Sequence, residues 1–176
     1  MVKPNQEQQL RLEELRQGVV SLLGTLDSFA STDTGELLTV PLGLLRKSAT
    51  QRHGVTRWLR LEDGTLEVEV VELHPRLFEE PWCDYGAFVL FHEFLHVLGF
   101  RAHNSVFRAL ESQWPNRSAA GMGKAFTQAM RLGRARWIWY CPSCKESYPR
   151  QRKSNGKFQC RTCRKLLQDR PVQDAQ

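Results

Sequence analysis

Residues 92–96 read His-Glu-Phe-Leu-His, and a further histidine, His103, follows seven positions after the second. On a helix, side chains four apart leave from one face, one turn from each other, so His92 and His96 can offer two imidazoles to a single divalent ion. Glu93 lies one position round from that face, where a carboxylate can take a proton from water held by the metal. Ala87 to Phe91 upstream, and Phe94, Leu95, Val97 and Leu98 within and after the motif, are almost all apolar. The segment is therefore expected to be a buried helix. Burying two imidazoles and a carboxylate without a compensating partner is costly, which argues for an ion between them. Hydrolytic zinc sites keep three protein ligands and leave one position for water. His103 is the first candidate for the third ligand, with Glu111 and His74 as rivals. The chemistry this set could perform is hydrolysis of a peptide bond, Glu93 acting as general base and returning its proton to the leaving amine.

The elements that must position these groups can be read from periodicity. Leu15, Val19, Leu22, Leu23 and Leu26 recur at helical spacing and predict a helix over 6–29. A second helix is expected over 41–52, with Pro41 near its start and Leu42, Leu45 and Ala49 on one face. Asp63-Gly64 is a turn signal between two strands, 57–61 and 65–73, the second alternating Leu66, Val68 and Val70 with Glu67 and Glu69. Such a strand, if it lay at a sheet edge, could pair with an extended peptide. Asp84 is the expected N-cap of the metal helix, which should run to about Leu98 and stop at Gly99 so that His103 can swing back. A helix bearing Phe107, Leu110 and Trp114 follows, then another over 118–133. His53 and His74 read as loop or surface residues, and Cys83 as a buried cysteine of apolar type.

Beyond this point the composition changes. Cys141-Pro-Ser-Cys144 and Cys160-Arg-Thr-Cys163 are separated by fifteen residues, a spacing that suits one tetrahedral zinc held by four thiolates. The chain carries a formal charge of +6, yet residues 131–165 alone hold 11 Lys/Arg against a single acidic residue, Glu146. A strongly basic module on a near-neutral body suggests a polyanionic partner. Arg150, Arg152, Lys153, Lys157, Arg161 and Arg164 are the candidate phosphate contacts, with Trp139, Tyr140, Tyr148 and Phe158 interleaved to stack on unpaired bases or to pack the ribbon.

At 176 residues the chain accommodates one ordinary domain and a small appendage. No apolar run reaches the roughly 18 to 20 residues of a membrane helix, and the first residues lack a secretory apolar stretch. Two C-x-x-C pairs then favour metal binding in a reducing compartment, and an intracellular, cytoplasmic location is expected.

These motifs together carry a family resemblance. Leu45 to Ala49, Val70 to Leu77, the His92–His96 motif, His103-Asn-Ser-Val-Phe107 and the four-cysteine ribbon occur in the order found in the SprT-like zinc metalloproteases, which the chain resembles over roughly residues 40–167. The His103–Leu110 stretch is also similar to YgjP-type and WLM metallopeptidases, which share the short second spacing. The resemblance implies an α+β fold: a helical, zincin-like protease domain with a small hairpin or sheet over 1–134 and a zinc ribbon over 135–168. The terminal stretch 169–176 is expected to be a disordered tail. The resemblance also implies two zinc ions, a catalytic one on His92, His96 and His103 with Glu93 as base, and a structural one on Cys141, Cys144, Cys160 and Cys163. Relatives of the Spartan type cleave proteins trapped covalently on DNA. Single-stranded or crosslink-bearing DNA and protein substrates are thus the expected partners of a monomer that nucleoid or nuclear DNA would attract. The alternative is a nucleic-acid-binding or transcription-associated zinc protein whose protease-like half is only a scaffold.

Overall fold

The fold was taken from a computed structural model, which describes residues 2–172. The chain divides into two compact units, Met1–Gly123 and Lys124–Gln176. The architecture is α+β, and among the described residues no helix is long and apolar enough to cross a membrane.

In the first unit, helix α1 (Gln6–Gly24) opens with a capping box: Asn5 accepts from the Gln8 backbone N–H at 2.8 Å, and the Gln8 side chain accepts from Asn5 N–H at 3.0 Å. Its inner face is Leu12, Arg16, Val19 and Leu23, a 4-3-4 spacing. Leu26 lies beyond the helix end, so the expected helix over 6–29 is shorter at its C-terminus.

The expected helix over 41–52 is not formed. Residues Leu42–Leu44 are a strand, β1, paired in parallel with Val71–Leu73. Two backbone bonds bracket the pairing, Val71 N–H to Pro41 O and Leu45 N–H to Leu73 O, both at 2.9 Å. Pairing with a buried strand outweighs three apolar residues at helical spacing, a weak signal beside Pro41 and Gly43. Strands β2 (Gly54–Arg60) and β3 (Leu66–Leu73) form the expected hairpin through Asp63-Gly64, with Gly64 at φ 84°. The sheet order β1-β3-β2 makes β3 the central strand, which explains why Val70, Val71, Glu72 and Leu73 are all buried. The idea that 65–73 is an edge for an incoming peptide is therefore corrected. The outer strands are β1, bridged at Leu44 by Val2, and β2.

Helix α2 (Cys83–Val97) carries the histidine motif and lies among α1, β2, β3 and the two short helices that follow it within the first unit. It begins one residue before Asp84, with Trp82 at the cap position, so Asp84 sits in the first turn. There it accepts from Asn116 Nδ2 at 3.2 Å instead of capping. At the other end Phe100 N–H reaches Leu95 O, Gly99 N–H reaches His96 O, and Gly99 adopts φ 97°. This is a Schellman ending, the left-handed turn that redirects the chain toward His103. Helix α3 (Ser105–Glu111) is capped by Asn104, whose side chain accepts from Phe107 N–H at 3.0 Å. Trp114 lies past its end, buried against Phe91 with ring centroids 5.2 Å apart. The helix expected over 118–133 is split at Gly121-Met122 into α4 (Arg117–Ala120) and α5 (Gly123–Leu132).

The second unit holds most of α5 and a three-stranded antiparallel sheet of order β5-β4-β6, made of β4 (Trp137–Tyr140), β5 (Ser147–Arg150) and β6 (Gln168–Pro171). The tail expected to be disordered from 169 is corrected in part. Asp169, Arg170 and Pro171 pair with β4, and Asp169 accepts backbone N–H groups of Ser154 and Asn155 at 2.7 and 2.9 Å. Residues 173–176 lie outside the described residues.

Candidate functional site

The structure brings His92, His96 and His103 together. His103 Nε2 stands 3.1 Å from both His92 Nε2 and His96 Nε2, and the three ring centroids are 4.9 to 5.0 Å apart. Each α2 imidazole is oriented by its other nitrogen. His96 Nδ1 donates to Phe100 O at 2.8 Å, which leaves Nε2 with a lone pair. His92 Nδ1 lies 2.6 Å from Glu111 Oε1, and Arg108 Nη1 donates to Glu111 Oε2 at 2.7 Å. Burial alone would raise the Glu111 pKa, but the bonds from His92 and Arg108 outweigh it and hold the carboxylate ionised. Burial likewise lowers the pKa of His92 and of His96, favouring neutral rings. Lone pairs aimed at one another repel unless a cation lies between them. Zinc–nitrogen bonds of about 2.0–2.1 Å at tetrahedral angles place ligand nitrogens about 3.3 Å apart, close to the spacing found. The donor set thus fits zinc.

Phe107, fully buried, forms the floor of this cluster, its ring 4.7 to 4.9 Å from all three imidazoles. Of the rival third ligands, Glu111 instead grips the far side of His92. Such outer carboxylates fix ring orientation and raise ligand basicity. Replacing Glu111 by Ala is expected to weaken metal binding about 10- to 100-fold without removing a ligand, measured by competition with a chromogenic chelator. His74 is absent from the cluster. It is buried, not at the surface, and its Nδ1 accepts from Arg76 N–H at 3.1 Å at the start of a short 3-10 turn. His53 is half-buried, with Nδ1 2.6 Å from the Tyr85 hydroxyl. Cys83 is only partly buried, not a core residue.

Glu93 faces β2. Thr56 Oγ1 donates to Glu93 Oε2 at 2.8 Å, and a Cβ at Gly54 would lie 2.8 Å from Glu93 Oε1 and 2.7 Å from Val89 Cγ1. Only a glycine lets β2 approach this closely. Burial pushes the Glu93 pKa up to about 7, against the pull of its hydrogen bonds from Thr56. A carboxyl poised there suits proton transfer near neutrality. Thr56 is not recognisable from the sequence, where it reads as one more polar residue at the start of a strand. The cluster opens on a cleft of about 390 Å³ walled by β2 residues Gly54 to Thr56 and Trp58, by Glu93 and by Arg101, whose guanidinium lies 4.2 Å from the Trp58 ring centroid.

In the second unit Cys141, Cys144, Cys160 and Cys163 converge. Sulfur pairs 141/163 and 144/160 are 3.3 Å apart, and 144/163 are 3.8 Å apart. These are ligand–ligand separations, far longer than a disulfide bond. The two C-x-x-C turns are built alike. In the first, Lys145 N–H donates to Cys141 O and Cys141 N–H to Glu146 O. In the second, Arg164 N–H donates to Cys160 O and Cys160 N–H to Lys165 O. Lys145 and Arg164, each just after the second cysteine, take φ 64° and 61°. Two matching knuckles presenting four thiols fit a tetrahedral zinc.

The basic residues singled out in the sequence fall on this ribbon. Arg150 is on β5, its guanidinium 4.9 Å from the Trp139 ring centroid, and Lys153 Nζ lies 4.4 Å from that of Trp137. Arg152, Lys157, Arg161 and Arg164 are exposed. Trp139 and Phe158 stack with centroids 4.4 Å apart, leaving Phe158 half exposed.

Fold and side chains therefore define a small α+β unit built around a histidine-bearing helix, followed by a four-cysteine ribbon. Residues 135–170 match the family model of the SprT-like zinc ribbon domain, so the C-terminal module is a ribbon of that kind and the match supports the SprT-like resemblance of the chain. No curated protein and no solved structure matched the chain.

Proposed function

We propose that this chain is a zinc-dependent metalloendopeptidase of SprT-like type. In this reading it acts inside the cell on DNA-bound or DNA-crosslinked proteins, and its ribbon binds the DNA. The observation that carries the enzymatic reading is the convergence of the His92, His96 and His103 Nε2 atoms beside the buried carboxyl of Glu93 in one open cleft. Zinc held by the three imidazoles would supply Lewis acidity, acidifying water and polarising a carbonyl.

The chain's own groups account for the rest. The free edge of β2 offers backbone donors and acceptors along the cleft, so an extended substrate segment can add to the sheet and bring its scissile carbonyl over the imidazoles. Glu93, held by Thr56, takes a proton from water as the oxygen attacks the carbonyl carbon. It returns that proton to the nitrogen as the C–N bond breaks, so that one carboxyl acts first as base and then as acid.

The test is a panel of free and DNA-crosslinked proteins, incubated with the full chain and with a form lacking 137–176, with and without single-stranded DNA. The full chain should cleave crosslinked substrates in preference to free ones. The truncated form should lose that preference, together with most DNA affinity and its salt dependence, at roughly 0.7 in log–log slope per lost phosphate contact. DNA binding without hydrolysis of any substrate would instead favour the scaffold alternative.

A further inference from the structure

Helix α5 has a basic polar face that apolar periodicity alone does not reveal. Lys124, Gln128 and Arg131 stand at positions i, i+4 and i+7 and so share one side of the helix. That side forms one wall of a cleft of about 380 Å³. The opposite wall comes from the ribbon, with Tyr148 and Arg150 of β5 and Arg161 of the second knuckle. Four cations from three separate segments thus face one concavity, and among the described residues no carboxylate lines it. Glu146, the one acid between 131 and 165, is not among its walls. The crowding has an electrostatic signature. The Arg150 pKa is pushed below its ordinary value by burial first, then by the charges of Arg161 and Arg131. Like charges gathered around a cavity without a counter-charge are relieved by an anion.

We propose that Lys124, Arg131, Arg150 and Arg161 form a phosphate-gripping cleft that holds the backbone of a single-stranded nucleic acid. Three of the four are arginines, whose planar donor forks match phosphate oxygens. An acidic peptide would satisfy the same charges, but the surroundings favour a polynucleotide. Tyr148 supplies an aromatic wall, and Arg150 lies over Trp139, itself stacked on the half-exposed Phe158, so cationic and aromatic surfaces adjoin. The inference rests on the nucleic-acid reading of the ribbon. It adds to that reading a helix outside residues 135–170, the span of the ribbon match.

Binding of a fluorescein-labelled oligo-dT to the zinc-loaded full chain, followed by anisotropy across a salt series, tests it. The double variant K124E/R131E is compared with K3E/R117E, exposed residues of the first unit whose reversal changes the net charge equally but lies off the cleft. The cleft variant should bind at least about tenfold more weakly than the control variant near 100 mM salt. Its log–log salt slope should be shallower than the wild-type slope by about 1.4, two contacts at about 0.7 each. The milder K124Q/R131Q pair should lie between, and unchanged zinc content shows that the fold is intact. Equal losses in the two reversal variants would overturn the cleft in favour of diffuse charge and leave the nucleic-acid reading standing. Retained oligo-dT binding with lost poly-glutamate binding would overturn it in favour of an acidic protein. Absence of oligo-dT binding by the unaltered chain would remove both the cleft and the reading beneath it.

Discussion

Replacing Glu93 by Gln should lower proteolysis by about 10²- to 10⁴-fold, the range that general acid–base catalysis contributes, with the zinc content unchanged. The two side chains are nearly isosteric. The carbonyl oxygen of the introduced amide can still accept from Thr56 Oγ1, and the close contact with Gly54 is preserved. What disappears is the only buried carboxyl on the motif helix, and with it the means of moving a proton between water and the leaving nitrogen. Because the substitution also removes a titratable group from a site where charge is costly, the variant should fold at least as well as the parent. A thermal melt and a metal assay alongside the cleavage assay separate these effects. Undiminished proteolysis by the Glu93→Gln variant would exclude the mechanism.

Replacing Cys141 by Ser should unfold the ribbon. The buried apolar cluster of the ribbon is Cys141, Cys160 and Leu167, with Trp139, Tyr148 and the other two cysteines packed around it. Two of the three core residues are thus proposed metal ligands, and what remains is too small to hold three short strands together. Zinc in modules of this size contributes about 10–16 kcal/mol of apparent binding energy, which is in effect their folding energy. Chelation of the parent chain should have the same result. The expected readout is loss of hydrogen-exchange protection across residues 137–171 while the α2 amides stay protected. Protection retained in β4, β5 and β6 would show that the strands do not depend on the metal.

The parts of the site legible in the sequence are those set by short spacing. His92 and His96 lie one helical turn apart, Gly99 ends that helix where a left-handed residue is required, and the two C-x-x-C pairs become matching knuckles. What spacing does not carry depends on contacts between distant segments. A three-residue parallel strand such as β1 has no period of its own, and only β3 makes it a strand. Glu111 is a candidate ligand by sequence because it is a carboxylate near the motif. Its place behind His92 follows from the angle at which α3 returns, which spacing does not encode. Thr56 gains its role because Gly54 lets β2 close on α2. The basic face of α5 is hidden when charge is counted in blocks. Lys124 falls on one side of the division and Arg131 on the other, although one helix face carries both.

The enzymatic reading stands on three imidazoles sharing one metal ion, separate from the ion of the ribbon. Metal stoichiometry of the purified chain tests this most directly, measured for the parent and for the His103→Ala and Cys141→Ser variants. Two zinc ions per parent chain are expected, with one lost in each variant and the other retained. A parent with one ion, still present when His103 is replaced and gone when Cys141 is replaced, would contradict the account.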